Sequence, residues 1–492
     1  MRYQSTRGGS TANFSDVLLE GLAADGGLYV PEKYPVVTPA LLASWRVLLA
    51  EQGYAALAHQ ILRLFITDIP DAELARLTAS AYHEQVFASR VVTPVTPVGD
   101  TGIWLAHLSN GPTAAFKDIA LQMLGRLFDY ELTRRDTWLT VLGATSGDTG
   151  SSAEYAMRGL ARVKVAMLTP HARMTPFQQA QMYSIDDPRI VNFAVAGVFD
   201  DCQDLVKALN SDAEFKATYH IGAVNSINVA RLLAQVVYAF ATWLQVAESD
   251  TQRISFAVPT GNFGDILSVH VAHQMGLPVD ALILATNENN VLQEFFATGV
   301  YRPRPAHAVH ATSSPSMDIS KASNLERFIW DLVDGDSQRS AQLFTHSDDG
   351  SFGVTGGFDL SHDEIFVTQR ERFGIVAGAS SHTDRLATIA RMWREHGLLI
   401  DPHTAAGVHV AAQLLAKGEV RTPIIAYETA LPVKFANTIC EALGFEPPTV
   451  ERFAGLLQKP QHAIAMANDA NQVKSWLASW LTDHQSVPPH TH

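Results

Sequence analysis

Short apolar runs alternate with helical patterns through the middle of this chain. From about residue 91, β-branched or apolar runs are followed by apolar residues at helical spacing, with turn residues between them. The predicted strand–helix pairs are Trp138–Leu142 with Ser151–Gly159, Val163–Leu168 with Thr175–Ser184, and Ile190–Val195 with Asp201–Leu209; further strands are predicted at Ile254–Val258 and Ala281–Ala285. Such alternation is typical of βαβ units and predicts an α/β fold with largely parallel sheets.

Two other parts of the chain lack this alternation of predicted strands and helices. Before about residue 90, helical spacing predicts helices over Phe14–Leu22 and Ala40–Leu49, with a turn at Asp25–Gly27 and a short extended segment that ends at Pro31. The stretch from about 300 to 385 is rich in Ser, Asp, Gly and His and has weak periodicity. We expect a long excursion there, such as a lid or an inserted subdomain.

Composition excludes several classes of protein. A chain of 492 residues is too long for one hydrophobic core, and its net charge of −14 argues against nucleic acid or anionic membrane as a partner. Cys202 and Cys440 lie far apart and outside any CxxC motif, which is typical of a reduced cytoplasm. The residues after Met1 contain no apolar signal segment, and the apolar stretch Leu232–Ala247 is interrupted by polar residues. We therefore expect a soluble, cytoplasmic protein.

Gly111–Asp118 places Lys117 behind a Gly-Pro turn and next to Phe116, at the start of a predicted helix. An amine held there and partly desolvated can lose its proton and attack a carbonyl, as a Schiff-base lysine does. The alternative is a surface lysine, with Asp118 stabilising the helix N-terminus. The motifs further along the chain favour the first interpretation.

Two loops combine glycine with polar residues where a strand is followed by a helix. Pro259–Asp265 follows the strand Arg253–Val258, and Ala144–Ser151 follows the strand that begins at Trp138. Backbone N–H groups at such junctions bind anions, and neither loop has the Gly-Lys-Ser/Thr ending of a Walker loop. Helix capping and glycines with positive φ are the structural alternatives. Together with Lys117, two such loops fit a cofactor phosphate and a substrate carboxylate.

The segment Asn225–Arg231 opens a long predicted helix, with Asn225 or Ser226 as its cap. Arg231 could bind a phosphate through its planar fork of donors, or it could be an arginine that extends from a core helix to solvent. His270 and His273 are three residues apart on a predicted helix without a recognisable third ligand, so no metal site is predicted. Helix capping explains Asp401–Thr404.

In this order, the motifs resemble the threonine synthase family of pyridoxal-phosphate enzymes, in its longer microbial form. The resemblance runs from Leu22 to about residue 445. It rests on Leu22–Pro31, Gly111–Asp118, Ala144–Gly150, Asn225–Gln235, Pro259–Asp265, Ala285–Asn287, Ser316–Ile319, Asp401–Thr404 and Glu428–Phe435. One position departs from the pattern, because Leu431 stands where histidine is expected.

The resemblance implies a fold of type II, like that of the tryptophan synthase β subunit. Mostly parallel sheets flanked by helices would form two subdomains, beside a mainly helical N-terminal domain. The implied divisions are an N-terminal domain over 1–90, a catalytic core over 91–450 and a C-terminal helical extension over 451–492. Within the core, a subdomain of about 134–235 would be inserted between 91–133 and 236–450.

The resemblance also implies a role for each matching residue. Lys117 would bind the aldehyde of pyridoxal 5′-phosphate beside Phe116, Thr429 would be the hydroxyl partner of the pyridine nitrogen, and Asp148 would lie near the phenolic oxygen. The implied phosphate cradle is Gly261, Asn262, Phe263, Gly264 and Asp265. The implied substrate-binding residues are Thr145, Ser146, Gly147, Thr149, Asn225 and Arg231, with Lys321, Asn324 and Arg327 as weaker candidates.

The implied activity is that of a carbon–oxygen lyase acting on phosphates. O-Phospho-L-homoserine and water would give L-threonine and phosphate, with Lys117 moving the α- and β-protons of the substrate. The alternatives are a related lyase or dehydratase that releases a 2-oxo acid, and a relative that binds the cofactor without turnover. We expect a monomer or homodimer with a small-molecule substrate, no nucleic acid, no membrane and no metal.

Overall fold

The first part of the chain is mainly helical. The structure is a computed structural model that describes residues 1–9, 11–222, 224–344 and 356–483. Its first elements are β1 (Tyr3–Ser5), α1 (Phe14–Glu20), β2 (Tyr29–Pro31), α2 (Pro39–Gln52), α3 (Tyr54–Leu62) and α4 (Asp71–Ala81). Strands β1 and β2 pair antiparallel. The predicted helices and the extended segment are confirmed, although α1 ends before Leu22 because Gly21, with φ of 70°, closes it.

The next part contains the predicted alternation of strands and helices. Its elements are β3 (Val95–Pro97), β4 (Ile103–His107), α5 (Lys117–Arg134), β5 (Leu139–Ala144), α6 (Asp148–Met157), β6 (Val163–Pro170), α7 (Pro176–Tyr183), β7 (Ile190–Val195), α8 (Phe199–Ser211), α9 (Ala213–Thr218), β8 (Ile221–Gly222) and α10 (Val229–Val246). Strands β5, β6 and β7 lie side by side and parallel, which confirms the βαβ prediction.

The rest of the chain supplies a second set of strands. Its elements are β9 (Ile254–Pro259), α11 (Gly264–Gln274), β10 (Val279–Thr286), α12 (Val291–Thr298), β11 (Val300–Tyr301), α13 (Leu325–Leu332), α14 (Ser337–Phe344), β12 (Phe358–Asp359), α15 (Glu364–Val367), α16 (Gln369–Phe373), β13 (Ile375–Ala379), α17 (His382–His396), α18 (Pro402–Ala416), β14 (Ile424–Glu428), α19 (Ala436–Leu443), β15 (Ile464–Met466) and α20 (Ala470–Asp483). The strands predicted from residues 254 and 281 are present as β9 and β10.

Two sheets organise these elements. The larger has the strand order β13-β10-β9-β14-β4-β3, and the smaller has the order β15-β7-β6-β5-β8. Their pairings are parallel, apart from the antiparallel pairing of β3 with β4. Helix α10 packs against α5 and α11. By length and composition it could cross a membrane, but 94% of it is buried inside the molecule. It is thus a central helix of the fold.

Two regions differ from the sequence-based expectation. The stretch 300–385 is not a single excursion, because β13 within it pairs with β10 in the larger sheet; residues 345–355 lie outside the described part. The extension after residue 450 is not purely helical, because β15 pairs with β7 and completes the smaller sheet. Both strands are short, and their partners are distant in sequence, so the local pattern gives little sign of them.

Candidate active site

A closed turn presents Lys117 at the first position of α5. The Asp118 carboxylate folds back over the turn and accepts hydrogen bonds from Thr113, at 2.8 Å from its N–H and 2.7 Å from its hydroxyl. Gly111 has no room for a side chain, since a Cβ there would lie 2.4 Å from Cβ of Asp118. Asp118 therefore braces the turn, and Lys117 lies in the first helical turn as predicted.

The turn is held against the end of β14. Phe116 donates its N–H to the carbonyl of Thr429 at 2.9 Å, and Leu431 donates to the carbonyl of Ala114 at 3.1 Å. The Thr429 hydroxyl makes no hydrogen bond to another described residue, so it remains available. The structure thus brings together Lys117 and Thr429, as the resemblance implies.

The Lys117 amine lies in a mostly enclosed, charged environment. Its side chain is 14% exposed, and Nζ is 3.4 Å from the Ser316 hydroxyl and 3.8 Å from Oδ2 of Asp148. Burial lowers the pKa of Lys117 to about 8; nearby Asp148 opposes this effect, while Arg231 and Lys434 add to it. With this pKa, roughly a tenth of the amine is neutral at pH 7, far more than for an ordinary lysine, which makes it a competent nucleophile and base.

A cradle of free backbone N–H groups lies where β9 leads into α11. Among the described residues, the N–H groups of 261–264 donate to no other group, and Phe263 has a left-handed φ of 65°. A Cβ on Gly261 would lie only 2.7 Å from the Ser316 carbonyl oxygen. This geometry at a helix N-terminus suits a phosphate group.

Gly261 and Gly264 offer a matched test of this cradle. We expect G261A to weaken binding of the pyridoxal phosphate that the resemblance implies by about 10- to 100-fold, because the new methyl group meets fixed backbone. In G264A the new Cβ meets Asn324 Nδ2 at 3.3 Å, a contact that the amide can relax, so binding should change less than about threefold. Equilibrium titration of the apo variants measures both constants, and equal losses would contradict this assignment.

The loop between β5 and α6 provides a second set of free donors. Thr145 braces it from within, since its hydroxyl accepts from the N–H groups of Gly147 and Gly150 at 3.0 and 2.9 Å. The half-exposed hydroxyls of Ser146 and Thr149 have no partner among the described residues. The predicted substrate loop is therefore open at Ser146 and Thr149, whereas Thr145 serves mainly to hold its shape.

Arg231 is a buried cation without a carboxylate partner. It is 4% exposed, and among the described residues its guanidinium donates only to the Val224 carbonyl, at 2.9 Å, leaving Nε without a partner. Burial lowers its pKa to about 10. An uncompensated buried charge is costly, which indicates that an anion belongs beside it.

The cap of the Arg231 helix differs from the prediction. Helix α10 is capped by Asn228, not by Asn225 or Ser226; Oδ1 of Asn228 accepts the N–H of Ala230 at 3.0 Å. Its Nδ2 donates to the Leu18 carbonyl of the N-terminal part at 2.9 Å, and this second bond fixes the helix start. Asn225 is exposed.

The guanidinium nitrogens of Arg327, a weaker candidate for phosphate binding, all donate hydrogen bonds within the chain. Its Nε and Nη2 donate to the carbonyls of Tyr29 and Ile227 at 2.9 and 2.6 Å, and its Nη1 donates to Oδ1 of Asn324 at 2.6 Å. It therefore ties the N-terminal part to the segment that precedes Arg231. Lys321 is exposed.

Sequence reasoning missed the residues that surround Asp148. Lys434 is fully buried, with Nζ 2.7 Å from Oδ1 of Asp148, and Gln178 donates to the same oxygen at 2.9 Å. Ser316 donates its hydroxyl to Oδ2 at 2.9 Å. The sequence does contain one signal for Lys434, because the other residues of the run 430–435 are all apolar. A lysine in such a run is less typical of an exposed side chain than of a buried one.

His403 fixes the loop that carries Ser316. The Ser316 N–H donates to Nε2 of His403 at 3.1 Å, and Nδ1 lies 2.7 Å from Oδ1 of Asp401. Because Nε2 accepts, the proton belongs on Nδ1. Asp401 caps α18 as predicted, and it also orients this imidazole. Leu431, the departure from the family pattern, packs on the apolar cluster that contains Phe453.

Comparison with known proteins gives concordant matches along the chain. The family described as Threonine synthase N terminus matches residues 2–82, Pyridoxal-phosphate dependent enzyme matches residues 89–348, and Threonine synthase, C-terminal matches residues 404–477. The threonine synthase of Corynebacterium glutamicum is 56% identical over 485 residues, covering 98% of this chain and 99% of that protein. That of Saccharomyces cerevisiae is 38% identical, covering 92% and 91%. The crystal structure of pyridoxal-phosphate-bound threonine synthase from Brucella melitensis is similar, with a TM-score of 0.89 and 36% identity, covering 99% of this chain and all of that one.

Proposed function

The chain belongs to the threonine synthase family of pyridoxal-phosphate enzymes, and on that premise we propose that the site around Lys117 converts O-phospho-L-homoserine and water to L-threonine and phosphate. One observation carries the assignment to this site. The buried Lys117 amine, with its lowered pKa, lies in one site with the free N–H cradle of 261–264 and the uncompensated cation of Arg231. These groups match an aldehyde, a cofactor phosphate and a substrate phosphate.

The donor set fits pyridoxal phosphate. Lys117 would hold its aldehyde carbon, the backbone N–H groups of Gly261–Gly264 its phosphate, and Thr429 its pyridine nitrogen. Phe116 lies next to the amine, with its ring centroid 5.6 Å from Nζ. Asp265 follows the cradle in the sequence, and burial raises its pKa to about 7. When bound, the cofactor supplies an electron sink that stabilises negative charge on the substrate carbons.

The chain's own groups supply binding and proton transfer. Lys117 removes the proton from the α-carbon and then one from the β-carbon, which its pKa suits. Arg231 stabilises the charge of the phosphate that leaves the γ-carbon, and Asn225 stands at the rim of the same segment. The free hydroxyl groups of Ser146 and Thr149 hold the substrate carboxylate, and Gly147 shapes the loop that carries them. Thr145 acts through the loop that it braces.

We also propose the finer features that the sequence predicts. The protein acts in the cytoplasm as a monomer or homodimer, without nucleic acid or membrane. The net charge of −14 supports the absence of nucleic acid and anionic membrane as partners, and the free thiols of Cys202 and Cys440 support the cytoplasmic location. The proposed domain boundaries lie at about residues 90 and 450. The last part contributes β15 to the inserted subdomain that begins near 134.

Turnover with product identification tests the function. The purified, cofactor-loaded protein is given O-phospho-L-homoserine, and phosphate and amino-acid products are both quantified. Threonine formed in step with phosphate is the expected result. Phosphate accompanied by 2-oxobutyrate would assign a related lyase activity to the same site. A loaded protein that releases no phosphate would overturn the proposal in favour of a relative without this turnover.

The pH dependence of cofactor binding tests the Lys117 amine separately. Only the neutral amine adds to the aldehyde, so the rate of covalent uptake by the apo protein should rise with pH, with a midpoint of about 8. Stopped-flow absorbance at constant ionic strength measures it. A midpoint near the ordinary lysine value of 10.5 would contradict the proposed environment.

A further inference from the structure

A second buried lysine lies beside Lys117 and has no place in the mechanism above. Lys434 belongs to a short 3₁₀ turn over Pro432–Phe435, directly after the segment that holds Thr429. Its side chain is fully buried, and Nζ donates to the Thr113 carbonyl at 2.8 Å, on the turn that presents Lys117. Burying an ammonium group is costly unless a carboxylate compensates it. The partner here is Asp148.

The two lysines share this carboxylate unequally. Oδ1 of Asp148 lies 2.7 Å from Nζ of Lys434, whereas Oδ2 lies 3.8 Å from Nζ of Lys117. The remaining sites on the carboxylate are taken by the Gln178 amide on Oδ1 and the Ser316 hydroxyl on Oδ2, each at 2.9 Å. Burial by itself disfavours the carboxylate, but the two ammonium groups hold the pKa of Asp148 well below its usual range.

We propose that Lys434 is a positioning residue for Lys117: by binding Asp148, it prevents a close ion pair between Asp148 and Lys117 and keeps the Lys117 amine reactive. Its own charge acts in the same direction, since a nearby cation disfavours protonation of the neighbouring amine. This inference rests on the proposed role of Lys117 as the residue that binds the cofactor aldehyde.

Other charges face Lys117 and remain when Lys434 is changed. Arg231 at the start of α10 lowers the pKa of the amine, whereas Asp118 on its own helix raises it. Asp265, at the start of α11, interacts more weakly with Lys117, and its Oδ1 accepts from the Tyr238 hydroxyl at 2.5 Å. Because these groups are common to all the Lys434 variants, differences between those variants report on Lys434 and Asp148.

The test is the pH profile of covalent cofactor uptake by the apo protein. In this step the neutral amine of Lys117 would add to the aldehyde carbon, and the C=N bond would form as the aldehyde oxygen leaves as a water molecule that carries away the two amine protons. In K434M, Asp148 loses its close partner and turns to Lys117, so the midpoint should rise by about one pH unit. Uptake at pH 7 should then slow by about 10-fold. K434R, which keeps the charge, should stay within about 0.3 pH units of the wild type.

A second substitution separates the charge effect from a change in packing. In the double variant K434M/D148N the competing carboxylate is gone, so the midpoint should return to the wild-type value or fall below it. K474M is the control for loss of a lysine elsewhere, because Lys474 pairs with Asp212 at the surface. Circular dichroism and thermal unfolding verify the fold of each variant. If K434M does not fold, K434Q carries the same expectation and keeps a donor for Thr113.

Two results would overturn the inference: a K434M midpoint equal to that of the wild type, or equal shifts in K434M and K434R. The second result would mean that Lys434 contributes only packing. Failure of the wild-type protein to take up the cofactor covalently would instead remove the proposed role of Lys117. The outcomes for the two proposals are thus distinguishable.

Discussion

Replacement of Lys117 by alanine is expected to abolish the formation of threonine and phosphate, with kcat reduced by about 10⁴-fold or more. The substitution removes the amine that we propose as both the group that binds the cofactor aldehyde and the base that moves the substrate protons. The neighbouring amine of Lys434 cannot substitute, because it is fixed between Asp148 and the Thr113 carbonyl. Phosphate release and threonine formation are measured under saturating cofactor, together with the absorbance of the covalent lysine–cofactor bond.

The same substitution should leave the fold intact. Lys117 is a buried amine at 3.8 Å from its nearest carboxylate oxygen, so its loss removes a poorly compensated charge and should not lower the thermal midpoint of the apo protein. K207A, at an exposed ion pair on α8, is the control and should retain full activity. Residual turnover of K117A clearly above about 0.01% of wild type would contradict the assignment of both roles to this lysine.

Replacement of Arg231 should lower the activity of the protein without lowering its stability. We expect R231M to reduce kcat/KM by about 10²- to 10³-fold, because the leaving phosphate loses its charge-assisted donor in a buried site. The free energy of unfolding should be unchanged or higher, since methionine of similar length replaces a buried cation that lacks a carboxylate partner. Steady-state kinetics and chemical denaturation of the cofactor-loaded protein measure the two effects.

Arg327 is the matched control for Arg231. Burial also lowers its pKa to about 10, but backbone carbonyls and Asn324 occupy its nitrogens. R327M should therefore destabilise the protein by about 2 kcal/mol or more, because it leaves buried carbonyl groups without donors. Inorganic phosphate should raise the thermal midpoint of the loaded wild type and of R327M, if that variant folds, but not of R231M. An R231M variant that is less stable and still responds to phosphate would refute the anion assignment.

The sequence predicts this fold best where the local pattern is strong. Strands β5, β6, β7, β9 and β10 are apolar runs bounded by turn residues, and each was predictable within a few residues. Strands β4, β13 and β14 escaped prediction, since they are short and their neighbours are set by tertiary packing. Strand β14 shows the difficulty most clearly, because it lies between β4 and β9, both of which are far earlier in the chain.

The candidate site likewise contains residues that a local sequence pattern predicts and residues that no local pattern predicts. Lys117 and the loops before α6 and α11 carry local signals, namely glycine turns that open helices. Lys434, Ser316 and His403 carry almost none, because long-range packing brings them to Asp148. Asn228 is an intermediate case. An asparagine at the start of a helix is a normal N-cap, so the sequence is compatible with Asn228 in that role. What distinguishes Asn228 from Asn225 is its hydrogen bond to the Leu18 carbonyl, a long-range contact that the sequence does not reveal.

The late position of β15 has a consequence for synthesis on the ribosome. Strand β7 ends at Val195, and its neighbour β15 begins at Ile464, about 270 residues later. Translation proceeds at about 5–20 residues per second, so β15 is synthesised roughly 14 to 54 s after β7. During that interval the nascent smaller sheet presents an unpaired edge, which is a template for pairing with another chain. The sheet that carries the Ser146 loop is thus finished last, after translation of the larger sheet is complete.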